Sequence, residues 1–190
     1  MPYKTILLDL DGPLLDGRRR HYQCYADILT AHGYNPMPID DYWAMKRERK
    51  SRREQLAVSG AESIYGEFLA EWLERIEDTR YLALDCVQVG AVGVLRKWAS
   101  EDMEVILVTM RNNRENLMAQ LELLGLLSYL SNVVVCKHAL GGVGKAMALK
   151  RFIPDIDVSS CLWIGDTEAD CEAARHLGCR VVLLTEGLRV

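Results

Sequence analysis

The chain has 190 residues, 49% hydrophobic and 26% charged, with 14 glycines and 5 prolines. That balance belongs to a globular protein with a sizeable core, and it excludes disordered, collagen-like and low-complexity chains. A net charge of −4 argues against a dedicated nucleic-acid binder, whose phosphate contacts call for a basic excess.

The first apolar run, Thr5 to Leu10, contains Asp9 and stops at Gly12-Pro13. It reads as a buried strand ended by a turn, too short and too acidic for a secretory signal. From about Leu15 to Cys86 there is helical patterning but no convincing strand. Arg20 to His32 carries Tyr22, Tyr25, Ile28 and Leu29 at helical spacing. Ile39 to Arg53 follows two prolines, with Asp40 as the expected N-cap. Ala61 to Tyr81 places Ile64, Phe68, Leu69, Trp72 and Ile76 on one face.

Beyond this unit, strands and helices alternate. Helices are expected over Val89 to Ser100, Asn113 to Leu124, Gly144 to Phe152 and Glu168 to Leu177. Strands are expected over Met103 to Thr109, Asn132 to Cys136, Ser160 to Gly165 and Cys179 to Leu184. Strands rich in Val, Ile and Leu between helices imply a parallel sheet covered on both faces, with right-handed crossovers. The expected fold is therefore α/β: a doubly wound parallel sheet from residues 1–14 and 87–190, with a helical unit, 15–86, inserted after the first strand. No segment is long and apolar enough to span a bilayer. The six cysteines are scattered, without a C-x-x-C pair, which suits reduced thiols and a cytoplasmic location.

Four carboxylates fall at strand ends. Asp9 and Asp11 stand two apart, so an extended backbone sends both to the same side. Asp166 and Asp170 are four apart at a strand-to-helix junction and can face one point. Ligands of open parallel sheets bind beyond the carboxyl ends of the strands. Two acidic pairs meeting there suit a hard cation such as Mg²⁺. Thr109 closes one strand and Lys145 opens a helix, supplying the hydroxyl and ammonium that a phosphoryl group needs opposite a metal. A P-loop reading of Lys145 fails, because Ala139 stands at its first glycine and Ala146 at its Ser/Thr position.

The ordered set Asp9-Leu-Asp11-Gly-Pro-Leu-Leu-Asp16, Val108-Thr109, Lys145 and Gly165-Asp166-Thr-Glu-Ala-Asp170 resembles the haloacid dehalogenase superfamily in its phosphatase branch, phosphoglycolate phosphatases included. The resemblance spans nearly the whole chain and implies a Rossmann-like core with the helical unit as its cap. It implies Asp9 as nucleophile, forming an aspartyl-phosphate, and Asp11 as general acid and then base. It gives Mg²⁺ to Asp9, Asp166, the backbone carbonyl of Asp11 and, through a bound water or by orienting its neighbours, Asp170. Thr109 and Lys145 would bind the phosphoryl group, with Lys137 as the reserve lysine because the family's Lys-Pro pair is missing. Pro13 departs from the family's Thr or Val, removing a backbone N–H and stiffening the turn.

The implied activity is a Mg²⁺-dependent phosphatase of a small phosphorylated metabolite, with no nucleic-acid or membrane partner. A phosphomutase shares the first step. A receiver domain is disfavoured by the Asp9-x-Asp11 spacing, and a non-catalytic phosphate-binding protein by the complete polar set. The two basic clusters, Arg18 to Arg20 and Lys46 to Arg53, are expected mostly as solvated helix surface offset by nearby glutamates, with Arg47 and Lys50 as candidates to read an anionic part of the substrate. The four histidines lack ligand spacing and are expected at surfaces or helix ends, while Trp163 is expected beneath the site.

Overall fold

The computed structural model describes residues 3–137 and 140–185. β1 (Thr5–Leu8) leads through a turn to β2 (Leu15–Asp16). The inserted unit follows: α1 (Arg18–Ala31), α2 (Ile39–Arg47), α3 (Arg52–Val58), α4 (Tyr65–Arg75) and α5 (Thr79–Leu82). The chain returns through β3 (Cys86–Val87) to α6 (Ala91–Ser100), β4 (Glu104–Met110), α7 (Arg114–Leu123) and β5 (Asn132–Cys136). It ends with α8 (Gly141–Phe152), β6 (Cys161–Gly165), α9 (Glu168–Leu177) and β7 (Arg180–Leu183).

Five strands form one parallel sheet in the order β5-β4-β1-β6-β7. The two-residue period of a strand explains how both faces are buried. Ile6, Leu8, Val105 and Leu107 turn to one side, where they pack with Leu95 of α6 and with Leu117 and Leu121 of α7. Leu7, Ile106 and Val108 turn to the other, against Ala146 and Leu149 of α8 and Ala173 and Ala174 of α9. This is the doubly wound α/β arrangement expected from the sequence, and it puts the carboxyl ends of β1, β4 and β6 side by side.

The helical unit holds a second, aromatic core. Tyr25 stacks on Tyr42 with ring centroids 4.6 Å apart, Phe68 stacks on Trp72 at 5.7 Å, and the Arg52 guanidinium lies 3.9 Å over Trp72. β2 and β3 pair antiparallel, Leu15 with Val87 and Asp16 with Cys86, so the chain enters and leaves this unit at one point. Two residues are too few for strand periodicity to announce such a pair.

Several local expectations are corrected. The helix over Ile39 to Arg53 is broken: Arg49 takes a left-handed φ of 64°, and Ser51 restarts the chain as α3 through a capping box with Glu54. The N-cap of α2 is Pro38, while Asp40 lies in its first turn and pairs with Arg18. The span Ala61 to Tyr81 divides into a single 3₁₀ turn, Glu62–Ile64, followed by α4 and α5. α8 starts at Gly141 rather than at Gly144. Among the described residues no helix is long and apolar enough to cross a membrane.

Candidate active site

β1 delivers Asp9 to the carboxyl edge of the sheet, where its N–H donates to the Ile164 carbonyl of β6 at 2.9 Å. β6 ends at Gly165, and Asp166 and Asp170 follow at the start of α9. Carboxylate oxygens of Asp9, Asp166 and Asp170 lie within 4.8 Å of one another, all three residues buried. Gly165 permits this, since a Cβ there would fall 2.1 Å from Asp170 Cγ. Gly12 permits it from the other side: its φ is +103°, and a Cβ would meet Asp166 Oδ2 at 2.2 Å.

Lys145 enters from α8 with no exposed surface. Its Nζ is 2.8 Å from Asp9 Oδ1 and donates to Asp170 Oδ1 at 2.7 Å. A buried ammonium is tolerated only when paired, and here two carboxylates pair it. Burial depresses the Lys145 pKa, but Asp9 and Asp170 more than reverse this and hold it above its usual value. Burial pushes Asp9 up to about 7 against the pull of Lys145. Asp170 is buried as well, yet Lys145 and its hydrogen bonds keep it below the usual carboxylate range. Lys137 is exposed at the end of β5, so it is Lys145 that stands against Asp9.

Asp170 is heavily engaged. Oδ1 also accepts from Trp163 Nε1 at 3.1 Å. Oδ2 accepts from the N–H of Asp166 at 3.2 Å, the N–H of Thr167 at 3.1 Å and Thr167 Oγ1 at 2.8 Å. It fixes the loop that presents Asp166 and the ammonium that faces Asp9. Trp163 lies beneath the cluster, fully buried. Thr109 is buried near the carboxyl end of β4, the strand next to β1.

Asp11 does not share this cluster. The strand stops at Leu8, so alternation no longer governs its direction, and its carboxylate turns to two arginines. Arg20 Nη2 of α1 lies 2.6 Å and Arg111 Nη2 of the loop after β4 lies 2.8 Å from Asp11 Oδ1. Burial pushes the Asp11 carboxyl up, but Arg111 and Arg20 together outweigh burial and hold it low. The surrounding turn closes through Gly12 N–H to the Leu15 carbonyl and through Leu14 and Leu15 N–H to the Leu10 carbonyl. Pro13 therefore fits it despite the missing donor.

Neither arginine carries a motif, and Arg20, expected on a solvated surface with Arg18 and Arg19, is instead 2% exposed. For Arg20 the signal was present: it precedes the buried Cys24 and Ile28 by four and eight residues, which puts it on the inner face of α1. Arg111 lies two residues beyond Thr109 with no periodicity to mark it. The basic run also sorts differently from expectation. Arg47 donates from Nη2 to the Thr185 carbonyl at 3.1 Å, and its neighbour Arg49 pairs with Glu168. Lys50 stays within its own helical unit, 4.0 Å from Glu54. A cleft of about 290 Å³, lined by Arg49, Asp166, Thr167, Cys171, Arg175 and Thr185 among others, opens beside the acids. A larger groove of about 650 Å³ runs along β5 and α8 instead.

Of the histidines, His21 departs from expectation. It is partly buried, its ring 5.5 Å from Trp72 and stacked on it. Burial first, then Lys46 and Arg20, hold its pKa well below the usual value. His32 bonds Glu71 at 2.6 Å, His176 is exposed in the last turn of α9, and His138 lies outside the described residues.

A family model for haloacid dehalogenase-like hydrolases matches residues 3–178. No curated protein matches the sequence. Among solved structures, a haloacid dehalogenase-like family hydrolase from Streptococcus pneumoniae superposes with a TM-score of 0.77 at 16% identity, covering 99% of this chain and 87% of that one. A subfamily IA hydrolase of the same superfamily from Geobacter sulfurreducens gives 0.70 at 21% identity, covering 96% and 87%. A predicted phosphoglycolate phosphatase from Haemophilus somnus gives 0.65 at 17% identity, covering 100% and 88%. At these identities the likeness establishes the fold.

Proposed function

Because this chain belongs to the haloacid dehalogenase-like hydrolase family, we propose that it is a Mg²⁺-dependent phosphatase of a small phosphorylated metabolite, working through an aspartyl-phosphate on Asp9. The observation that carries this reading is the pairing of Asp9 Oδ1 with Lys145 Nζ at 2.8 Å, inside a buried group of three carboxylates. Structural neighbours described as phosphatases agree with it.

The donor set fits a hard dication: three carboxylates are gathered against one ammonium, and all the donors are oxygen. Asp9 and Asp166 would hold Mg²⁺ with the Asp11 carbonyl. Asp170, its oxygens already engaged, would act through Asp166 and Lys145. When bound, the cation supplies charge neutralisation to the phosphoryl oxygens.

In the first step the Asp9 carboxylate attacks phosphorus. The bond from phosphorus to the leaving oxygen breaks, and Asp11, once it has taken up a proton against the pull of Arg20 and Arg111, gives that oxygen the proton. In the second step Asp11 takes a proton from water as the water oxygen attacks phosphorus, and the Asp9–phosphorus bond breaks to restore the carboxylate. Lys145 and Thr109 hold the phosphoryl oxygens throughout.

Phosphate release from 4-nitrophenyl phosphate is the test. Activity is expected only with Mg²⁺, and Asp9→Asn is expected to lower it by on the order of 10⁴-fold or more. The variant should still fold, because Lys145 keeps Asp170 at 2.7 Å. Turnover that survives chelation or this substitution would overturn the mechanism. A screen of phosphorylated metabolites with the same readout then identifies the substrate.

A further inference from the structure

The helical unit is tied to the core by buried charge, and that charge converges on Asp11. Arg20, carried by α1, reaches two different carboxylates: Asp11 Oδ1 through Nη2 at 2.6 Å and Asp85 Oδ1 through Nε at 3.0 Å. Asp85 lies on the segment returning to the core, where its Oδ2 accepts from Gln120 Nε2 of α7 at 2.8 Å. Glu77, beyond α4 in the helical unit, accepts the N–H groups of Asn112 at 2.9 Å and Asn113 at 2.7 Å. It thereby pins the core loop that carries Arg111, the second guanidinium on Asp11.

Stability alone is a poor reason for such a network. Apolar side chains of similar volume would often serve as well or better in its place. The side chains of Arg20, Arg111 and Asp85 are 2%, 3% and 0% exposed, whereas that of Asp11 is 22% exposed. The network therefore opens toward solvent at Asp11. A guanidinium that bridges two carboxylates through different nitrogens of a rigid planar fork fixes their relative positions more closely than the point charge of an ammonium does.

We propose that Arg20 and Arg111 are positioning residues for Asp11, forming a strap through which docking of the helical unit on the core fixes where the Asp11 carboxyl stands. The proposal rests on the reading of Asp11 as the group that protonates the leaving oxygen. Arg20 contributes from the helical unit and Arg111 from a loop that this unit holds, so both contacts to Asp11 depend on the same docking. The ion pairs of both arginines run to Asp11 and Asp85, so each would act through Asp11.

The test measures kcat/KM for two aryl phosphates with Mg²⁺. This constant reports the step in which the leaving group departs. Phenyl phosphate needs a proton on its leaving oxygen far more than 4-nitrophenyl phosphate does. Arg20→Lys and Arg111→Lys keep the charge but lose the fork. Each is expected to lower kcat/KM for phenyl phosphate at least about tenfold more than for 4-nitrophenyl phosphate, since a small misplacement of a catalytic group costs up to about 10²-fold. Asp11→Asn is the reference and should widen the same ratio further.

A wild-type ratio in both folded arginine variants, with a widened ratio in Asp11→Asn, overturns the strap and leaves the phosphatase reading intact. A wild-type ratio in Asp11→Asn overturns the role of Asp11 and the strap with it. Thermal melting establishes which variants are folded. If Arg20→Lys is not, Arg111→Lys decides, because its change leaves Asp85 with Arg20 and Gln120.

Discussion

Burial and an ammonium compete for the proton on Asp9, and burial pushes its pKa up to about 7 from 3.8. A carboxyl raised in this way keeps a proton that the unfolded chain has already shed. Native stability therefore falls as pH rises between those two values. Asp85, pushed up to about 6 chiefly by burial, acts in the same sense. Asp11 and Asp170 are held low, so their contribution is lost only as pH falls below the usual carboxylate range. His21, held well below its usual value of 6.5, acts in the opposite sense below that pH, so melting temperature without Mg²⁺ is expected to decline from about pH 6.5 to pH 8. Mg²⁺ should raise it by an increment that grows over the same range, because at low pH the cation has to displace the Asp9 proton. An increment independent of pH would remove Asp9 from the ligand set. Lys145→Met strands two buried carboxylates, and urea unfolding should register a loss of about 3–5 kcal/mol. Lys137→Met, at an exposed position, should stay within about 0.5 kcal/mol.

At the scale of elements, the core was legible because its strands are apolar runs and its helices end at recognisable stops. The gathering of Asp9, Asp166 and Asp170 was legible for a related reason, since they stand at or just past strand ends that spacing alone locates, whereas Lys145, a turn inside α8, was reached only through the order of the motifs. The helical unit was harder. The stretch Ile39 to Arg53 reads as one helix because its second half is a charged run of good helix formers with no Gly or Pro to mark a stop at Arg49. The cue that resolves it is Ser51 with Glu54 three residues on, a reciprocal cap worth about 1 kcal/mol. Ser51→Ala should lower the unfolding free energy by that amount and leave turnover unchanged, because the cap touches only α3. The arginines on Asp11 were obscured for a different reason. Arg20 sits in a run of three arginines, and only its register against Cys24 and Ile28 separates the buried one from its neighbours.

At the scale of the whole molecule, the break at Arg49 sends the basic run back onto the core. Arg47 reaches Thr185 and Arg49 reaches Glu168, beside the cleft that opens on Asp166. These are exposed contacts worth about 1 kcal/mol or less each. Arg47→Ala or Arg49→Ala should therefore lower kcat/KM by no more than about fivefold. Lys50→Ala should leave it unchanged, because Lys50 faces Glu54. A larger effect at Lys50 than at Arg47 and Arg49 would mean that the substrate is met on another side of the helical unit.

The pairing of Leu15 with Val87 and Asp16 with Cys86 bears on how such a protein can be inherited in parts. Where entry and exit lie side by side, an inserted unit can be exchanged for another of different length without moving the strands beneath it. Backbone topology thus makes the helical unit interchangeable, whereas Arg20 and Glu77, which it carries, tie it to Asp11 and to the loop of Arg111. A graft that restored the junction but not these two side chains would keep the Asp9–Lys145 pair and lose the grip on Asp11. A substitute unit from another source has to bring its own means of steering that acid.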